Sequence, residues 1–169
     1  MPGYETSKLL HVTSDYCIGY GVDFGCELDP HPNARTLVDG QPIVHSTYQA
    51  THEVHIRNIN ELFQDWPDNK FDFTYSSHVI EHLIDPYAFL AECARLTKPG
   101  GHIVVVGPHE DWYWPNGHPY ANPDHKWWHL NQHKIAKWLR AIPLLRVVHS
   151  SEHGRDEDNW SFIVVAEKL

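Results

Sequence analysis

A chain of 169 residues with 41% hydrophobic content has the size of one globular domain, so we treat residues 1–169 as a single domain. Its net charge is −9 and its 13 Lys and Arg residues are scattered, which excludes nucleic acid as the main partner. The sequence shows neither a membrane-spanning apolar run nor a secretory-signal layout, so we expect no membrane partner and a cytoplasmic location.

The first part of the chain predicts three short strands with little helix between them. Residues 20–26 predict a buried strand that runs into a glycine turn, and residues 36–39 predict a second strand. About ten residues separate the two, close to the minimum for a parallel crossover, so the first helix must be reduced or replaced by a loop. We expect a short helix or loop at residues 42–50, a third strand at residues 53–56 and a helical turn at residues 60–66.

The middle of the chain predicts a strand, a helix and a second strand in close succession. A β-favouring run at residues 71–76 is followed by helical apolar spacing at residues 86–96 and by a buried strand at residues 103–106. The helix begins at a proline and ends before a Lys-Pro-Gly-Gly turn. This order predicts a right-handed crossover, the unit of doubly wound α/β sheets.

The last part of the chain predicts a loop, a helix and a hairpin. Residues 109–128 are rich in Pro, Asn, Gly, His and Trp, which is typical of an ordered loop. Apolar spacing predicts a helix at residues 129–142. Two strands are then predicted at residues 144–149 and 161–166, joined by a polar turn at residues 150–159.

Two segments of the central unit carry a family resemblance. They are His78-Val79-Ile80-Glu81-His82-Leu83 and Leu96-Thr97-Lys98-Pro99-Gly100-Gly101. In this order they resemble the class I S-adenosylmethionine-dependent methyltransferases of the small-molecule branch, and the chain looks like a compact variant. The resemblance implies an α/β, Rossmann-like fold: a seven-stranded, mostly parallel sheet with an antiparallel C-terminal hairpin in three αβα layers, here with a reduced first helix. It also implies S-adenosylmethionine as the cofactor.

The turn after the first strand is the first predicted cofactor contact. The family pattern is Asp-x-Gly-x-Gly-x-Gly; Asp23 and Gly25 match it, whereas Glu27 and Asp29 replace two glycines. A glycine here lets a ligand approach the backbone. Carboxylates repel the pyrophosphate of a dinucleotide but tolerate a sulfonium, so this turn, which includes Cys26, favours S-adenosylmethionine over NAD. In the alternative interpretation, Glu27 and Asp29 simply face water.

The next two strand ends are predicted to hold the nucleoside. Asp39 ends the second strand, where a carboxylate can accept hydrogen bonds from both ribose hydroxyls, although it can also start a turn before Gly40. Asn58 and Ile59 follow the third strand, where the resemblance implies contacts to adenine. Loop asparagines without a ligand are common, so that alternative stays open for Asn58.

Polar residues also close the fourth strand. By resemblance, Ser76, Ser77 and His78 lie near the methionine part of the cofactor and its methyl group. His78-x-x-Glu81-His82 also matches a zinc-peptidase motif, which makes a zinc hydrolase one alternative. The preceding strand and the following proline leave no room for one helix through the motif, so we predict no metal and assign Glu81 and His82 to capping or packing. The three cysteines have no paired spacing, which argues against disulfides and a cysteine zinc site.

The loop at residues 109–128 is the predicted acceptor surface. Its aromatic, His and Asp side chains suit a small polar organic or saccharide acceptor. His109 and His125 are the predicted bases, which the reaction needs only if the acceptor must lose a proton. The aromatic side chains can also form a small core that compensates for missing helices. A non-catalytic binding protein of the same fold is the other alternative function, because the glycine turn is degraded.

Overall fold

One mixed sheet runs through the described residues, 5–61, 63–154 and 160–169, of the computed structural model. Its strands are Gly21–Phe24 (β1), Ala34–Asp39 (β2), Glu53–Ile56 (β3), Phe71–Ser77 (β4), Thr97–Pro108 (β5), Leu145–Gly154 (β6) and Trp160–Lys168 (β7). They lie in the order β3-β2-β1-β4-β5-β7-β6. β1 to β5 are parallel, whereas β7 is antiparallel to both β5 and β6. The predicted Rossmann-like sheet with its antiparallel hairpin is confirmed.

Helices cover both faces of the sheet. They are Glu5–Thr13 (α1), Pro42–Tyr48 (α2), Pro86–Leu96 (α3) and Gln132–Ala141 (α4). Leu9 of α1 and Val44 of α2 belong to the core on one face, whereas Leu90 of α3 and Ile135 of α4 belong to the core on the other. The three predicted layers are therefore present. None of the helices in the described residues combines the length and the apolarity that a bilayer crossing needs.

The first crossover is a loop, as the short spacing predicts. Residues 25–33 form turns and bends between β1 and β2. The Oδ2 atom of Asp23 accepts the backbone N–H of His31 at 2.7 Å, and the buried His31 ring lies 4.8 Å from the ring of Tyr75. Asn33 Nδ2 donates to the Cys17 carbonyl at 2.8 Å. These polar and ring contacts hold the loop against the sheet in place of a crossover helix.

The connection before β4 differs from the prediction. The described residues of 60–66 form turns rather than a helix. The guanidinium of Arg95, a residue of α3, donates to the carbonyls of Phe63 and Trp66 at 2.9 and 2.8 Å. These hydrogen bonds fix the connection against α3. Pro67 follows directly and disfavours helical geometry at the residue before it.

The elements at the C-terminal end have shifted boundaries. α4 begins three residues later than predicted, because Asn131 caps it: Asn131 Oδ1 accepts the N–H of Lys134 at 2.9 Å. Both hairpin strands are longer than predicted. Of the polar turn predicted at residues 150–159, the first part is in β6, and residues 155–159 lie outside the described residues.

Asp23 is a buried carboxylate with one unsatisfied oxygen. Asp23 is 1% exposed, and its Oδ1 atom has no hydrogen-bond partner. Burial raises the pKa of Asp23 well above its ordinary value, and the charges of Asp29 and Asp39 add to the increase. The residue therefore supports the loop structurally while its charge is disfavoured.

We expect Asp23→Asn to gain stability relative to wild type as the pH rises. The folded wild type holds this proton more tightly than the unfolded chain, whose Asp pKa is about 3.9. Its free energy of unfolding therefore falls as the pH increases from that value through the folded-state pKa, while asparagine does not titrate. Asparagine still offers an oxygen to the His31 N–H, whereas Asp23→Ala leaves that N–H unpaired and costs about 1–3 kcal/mol.

Urea unfolding at about pH 5 and about pH 8 measures the free energy of unfolding of wild type and of each Asp23 variant. Asp15→Asn changes an exposed aspartate and serves as the control. Parallel pH profiles for wild type and Asp23→Asn would contradict the expectation.

Candidate functional site

Two adjoining cavities open where the parallel strands end. The strand-end cavity, of about 460 Å³, is lined by Gly25, Glu27, Asp39, Gly40, Gln41, Ile56, Arg57, Asn58, Ile59, Asn60, His78, Val79, His82 and Leu83. The loop cavity, of about 510 Å³, is lined by Glu5, Thr6, Gly25, Cys26, Glu27, Asp29, Ser77, His78, Glu81, His82, Tyr113, Trp114, Tyr120, Asn122, His125 and Trp160. Gly25, Glu27, His78 and His82 line both cavities, so the two meet at these residues.

Gly25 forms the bend after β1 and keeps the junction of the cavities open. Its φ is +71°, and its N–H donates to the Val38 carbonyl at 2.7 Å. A Cβ at this position would lie 2.3 Å from Val79 Cγ2 and 3.2 Å from Ile59 Cδ1. Only glycine both adopts this positive φ without strain and leaves room for the side chains of Val79 and Ile59. Burial raises the pKa of the adjacent Cys26 thiol, so that thiol stays protonated at neutral pH.

Asp39 fixes the two loops that surround the strand-end cavity. Its Oδ2 accepts the N–H of Glu27 and its Oδ1 accepts the N–H of Gln41, both at 2.9 Å. Asp39 is buried but still lines the cavity. Each carboxylate oxygen keeps a further lone pair, so this side chain can accept hydrogen bonds from a ligand without losing its backbone partners. The structure thus brings Asp39 and the Gly25 turn together.

The segment after β3 forms another wall of the strand-end cavity. Asn58 and Ile59 lie there as predicted, and Asn58 Oδ1 accepts the N–H of Asn60 at 3.0 Å. Arg57 and Asn60 also line this wall, and Arg57 was not among the predicted site residues. Arg57 donates its N–H to the Asp39 carbonyl at 3.0 Å, and Asn60 Oδ1 accepts the N–H of Ile84 at 2.7 Å. The sequence signal that could have identified Arg57 is its position directly after the predicted third strand.

His78 lies directly after β4 and faces both cavities. Its φ of +54° is left-handed, which is uncommon for a residue other than glycine. Its Nε2 lies 2.9 Å from Ser161 Oγ, and its Nδ1 lies 3.5 Å from Glu81 Oε1. Burial opposes a charge on this ring, but the contact with Glu81 and the nearby Glu5 raise the pKa of His78 overall.

Three predicted site residues line neither cavity. Asp23 and Ser76 are buried in the sheet, one in β1 and one in β4. His109 is also buried, and its ring stacks on Trp112 with a centroid distance of 4.2 Å. Side chains alternate across a strand, which turns Ser76 away from the cavity while Ser77 lines it.

Glu81 occupies the centre of a histidine cluster. It is 1% exposed, yet neither carboxylate oxygen has a hydrogen-bond partner. Glu81 Oε1 lies 3.5 Å from His78 Nδ1, 3.8 Å from His125 Nε2 and 3.9 Å from His82 Nε2. Burial favours the neutral acid, but His78 and His82 outweigh it and hold the pKa of Glu81 below its ordinary value. The capping or packing role predicted for Glu81 does not account for its orphaned oxygens.

The loop that carries His125 is tied to the segment that carries Glu81. The N–H groups of Lys126 and Trp127 donate to the Glu81 carbonyl at 2.8 and 3.1 Å, and Trp127 Nε1 donates to the Leu83 carbonyl at 2.9 Å. The His125 ring stacks on Tyr113, with centroids 4.7 Å apart. Burial lowers the pKa of His125 to about 4, so this imidazole is neutral at physiological pH.

The zinc-peptidase alternative lacks its helix. β4 ends at Ser77, His78 adopts a left-handed backbone, and only a single 3₁₀ turn follows at Ile80–His82. His78 and His82 therefore do not share the face of one α-helix, which that motif requires. The geometry does not favour a hydrolase of this type.

Carboxylates give the loop cavity an acidic wall. Glu5, Glu27, Asp29 and Glu81 all line it. Asp29 also accepts hydrogen bonds from the N–H and hydroxyl of Ser7, which anchors α1 at the cavity. A phosphate would be repelled here, whereas a sulfonium or an ammonium group would be attracted.

The comparisons with known proteins concern the family and the fold of the chain. Residues 9–105 match the family described as "Methyltransferase domain". A probable S-adenosylmethionine-dependent methyltransferase of Mycolicibacterium smegmatis is 36% identical over 111 residues, 63% of this chain and 41% of that protein. A ubiquinone biosynthesis O-methyltransferase of Rhodopseudomonas palustris is 48% identical over 46 residues, 27% of this chain and 18% of that protein. The chain thus spans less than half the length of these curated relatives.

A solved structure extends the likeness of the fold to the whole chain. The S-adenosylmethionine-dependent methyltransferase of Mesorhizobium loti superposes with a TM-score of 0.73 at 16% identity and covers 99% of both chains. The family match covers more than half of the sequence and includes the Gly25 turn, Asp39 and His78. The chain therefore belongs to the methyltransferase family that this domain describes.

Proposed function

We propose that this chain is an active methyltransferase that acts on a small polar organic or saccharide acceptor, and that residues 1–169 work as one domain. One observation carries the proposal: three neighbouring parallel strands deliver Gly25, Asp39 and His78 to one cavity. In open α/β sheets a ligand binds beyond the carboxyl ends of the strands, which is where these residues lie.

The strand-end cavity fits the nucleoside part of the cofactor. Gly25 provides space that a Cβ would fill, and Asp39 offers free lone pairs to ribose hydroxyls. We assign Asn58 and Ile59 to the adenine edge and face. S-adenosylmethionine, when bound, supplies a methyl group on a positively charged sulfur, and an acceptor lone pair displaces that methyl to leave a neutral thioether.

The junction of the cavities suits the methionine part of the cofactor. Glu27 and His78 line both cavities there, Cys26 and Ser77 line the loop cavity beside them, and the Glu27 carboxylate attracts a positive ammonium group. Asp23 and Ser76 support this junction from within the sheet. The chain's own task is then to align the acceptor and to exclude water from the reacting atoms.

The loop cavity fits the acceptor. Tyr113, Trp114 and Tyr120 offer ring faces for stacking, and Asn122 offers a polar group. A volume of about 510 Å³ is in the range of small-molecule sites. Because the carboxylates around it disfavour anions, we assign a neutral or cationic acceptor to this cavity.

His125 is the residue we assign to the reacting group of the acceptor. It lines the loop cavity beside Glu81, whereas His109, the other predicted base, stacks on Trp112 and supports the loop. The three cysteines are unpaired thiols in the structure, in keeping with the reducing cytoplasm that we propose as the location. The net charge of −9 supports a small-molecule rather than a nucleic-acid partner.

We expect Asp39→Ala to weaken binding of S-adenosylmethionine and S-adenosylhomocysteine roughly 10- to 100-fold, the effect of losing hydrogen bonds to a charged group. Isothermal titration calorimetry measures the affinity. Asp15→Asn, an exposed aspartate that lines neither cavity, is the matched control.

The Asp39 experiment needs a check on folding, because Asp39 also holds two backbone N–H groups. Asp39→Asn retains the shape and one acceptor oxygen, and a thermal melt of each variant shows whether the fold persists. Equal affinity in wild type and a folded Asp39 variant would contradict the ribose assignment. Binding without any S-adenosylhomocysteine formation across an acceptor panel would favour the non-catalytic alternative.

We expect Trp114→Ala to raise the KM for the acceptor by about tenfold, since a stacking contact in the loop cavity is lost. The affinity for S-adenosylhomocysteine should stay within about twofold, because Trp114 does not line the strand-end cavity. Tyr87→Ala removes an exposed aromatic residue of α3 and is the control. A KM unchanged by Trp114→Ala would place the acceptor elsewhere.

A further inference from the structure

We infer that Glu81, His82 and His125 bind one divalent transition-metal ion, with zinc as the first candidate. One donor atom from each side chain lies within 4.8 Å of the other two. This set differs from the zinc-peptidase pattern, in which both motif histidines bind and the glutamate is a base. Metal binding is independent of the proposed function, and only the role of the metal rests on it.

The distances in this cluster suit ligands around an ion better than direct partners. Glu81 Oε1 lies 3.8 Å from His125 Nε2 and 3.9 Å from His82 Nε2, beyond hydrogen-bond range. In a tetrahedral zinc site with bonds of about 2.0–2.1 Å, ligand atoms lie about 3.3–3.5 Å apart. The two distances exceed this ligand spacing by a few tenths of an ångström.

The Glu81 carboxylate independently indicates a missing cation. It is 1% exposed, and neither of its oxygens accepts a hydrogen bond. A buried carboxylate without hydrogen bonds is costly unless a charge compensates it, and a metal ion both compensates and binds it. His125 is a buried ring that lines the same cavity, and Nε2 is its ring nitrogen near Glu81 Oε1.

The surroundings orient the donors. His82 Nδ1 lies 3.3 Å from the Asp124 carbonyl oxygen, which can only accept, so Nδ1 carries the proton and Nε2 keeps its lone pair. The Tyr113 ring stacks on His125 and limits its rotation. The N–H groups of Lys126 and Trp127 bind the Glu81 carbonyl, so one set of backbone hydrogen bonds holds both sides of the cluster together.

The ligand set also suggests what the metal does. Two histidines and one carboxylate leave a coordination position open, the arrangement found in catalytic zinc sites. Glu81, His82 and His125 all line the loop cavity, so the open position faces the proposed acceptor. If the proposed function holds, the acceptor is a molecule that offers an oxygen to the metal, and His125 then acts on that oxygen as a ligand of the metal rather than as a free base.

A protonated His78 is the competing explanation for the Glu81 charge. His78 Nδ1 lies 3.5 Å from Glu81 Oε1, and an imidazolium there would form an ion pair without any metal. That explanation does not account for the positions of His82 and His125 near the same Glu81 oxygen. It predicts that the protein binds no zinc at this site.

The test uses the full chain without a histidine tag, stripped with a chelator. Zn²⁺ is titrated by calorimetry, bound metal is counted by mass spectrometry, and Co²⁺ is followed by its visible absorption. Glu81→Gln and His82→Ala remove ligands; the His82 side chain is 34% exposed, so its loss threatens folding least. His129→Ala, whose side chain is 86% exposed, is the control for surface binding in a chain with 15 histidines.

We expect one Zn²⁺ per wild-type chain, an affinity at least about tenfold lower in both ligand variants, and no change in His129→Ala. The proposal is overturned if the wild type binds no metal, or if His129→Ala weakens binding as much as the ligand variants do. A parallel titration with S-adenosylhomocysteine separates the two proposals. Zinc binding without S-adenosylhomocysteine binding would overturn the proposed function alone, and the reverse would overturn the metal site alone.

Discussion

The site depends on one interaction, the clamp that the Asp39 carboxylate makes on the backbone N–H groups of Glu27 and Gln41. The parallel pairing of β1 and β2 brings Asp39 close to the Gly25 bend, and the clamp then fixes the loops that follow both strands. A charged acceptor with two backbone donors is a strong, directional constraint. This clamp holds the loops around the strand-end cavity in place although there is no first crossover helix in residues 25–33. In other open α/β sheets, the N-terminus of that helix lies at this edge.

The missing helix is replaced by contacts from elsewhere in the chain. Asp29 binds Ser7 at the start of α1, so α1 reaches the cavity from the opposite end of the sequence. The acidic residues that took the place of glycines thus have different roles. Asp29 holds a helix, whereas Glu27 faces both cavities. The sequence pattern alone could not separate these roles, because the partner of Asp29 is 22 residues away.

Local signals predicted most of the sheet but not the centre of the site. The run at residues 71–108 has strong periodicity and a capping proline, and its strand, helix and strand appear in the predicted order, although β5 begins at Thr97 and includes the predicted glycine turn. α1 was missed because it buries Leu9 between threonines rather than a continuous apolar stripe. The pairing of Glu81 with His125 was not predictable, since 44 residues separate them and the loop hydrogen bonds that join them involve backbone atoms. The motif His78-x-x-Glu81-His82 did mark the place, but with different roles for its residues.

The negative charge of the loop cavity affects both the cofactor and the proposed metal ion. The family match ends at residue 105, so the loop that supplies His125 and the aromatic wall lies outside the matched residues. Among the described residues, the lining of the loop cavity includes four carboxylates and no lysine or arginine. A sulfonium on one side and a metal ion beside Glu81 would each reduce the mutual repulsion of these carboxylates. A cationic group is therefore favoured over an anionic one in this cavity, which applies both to the sulfonium of the cofactor and to a metal ion.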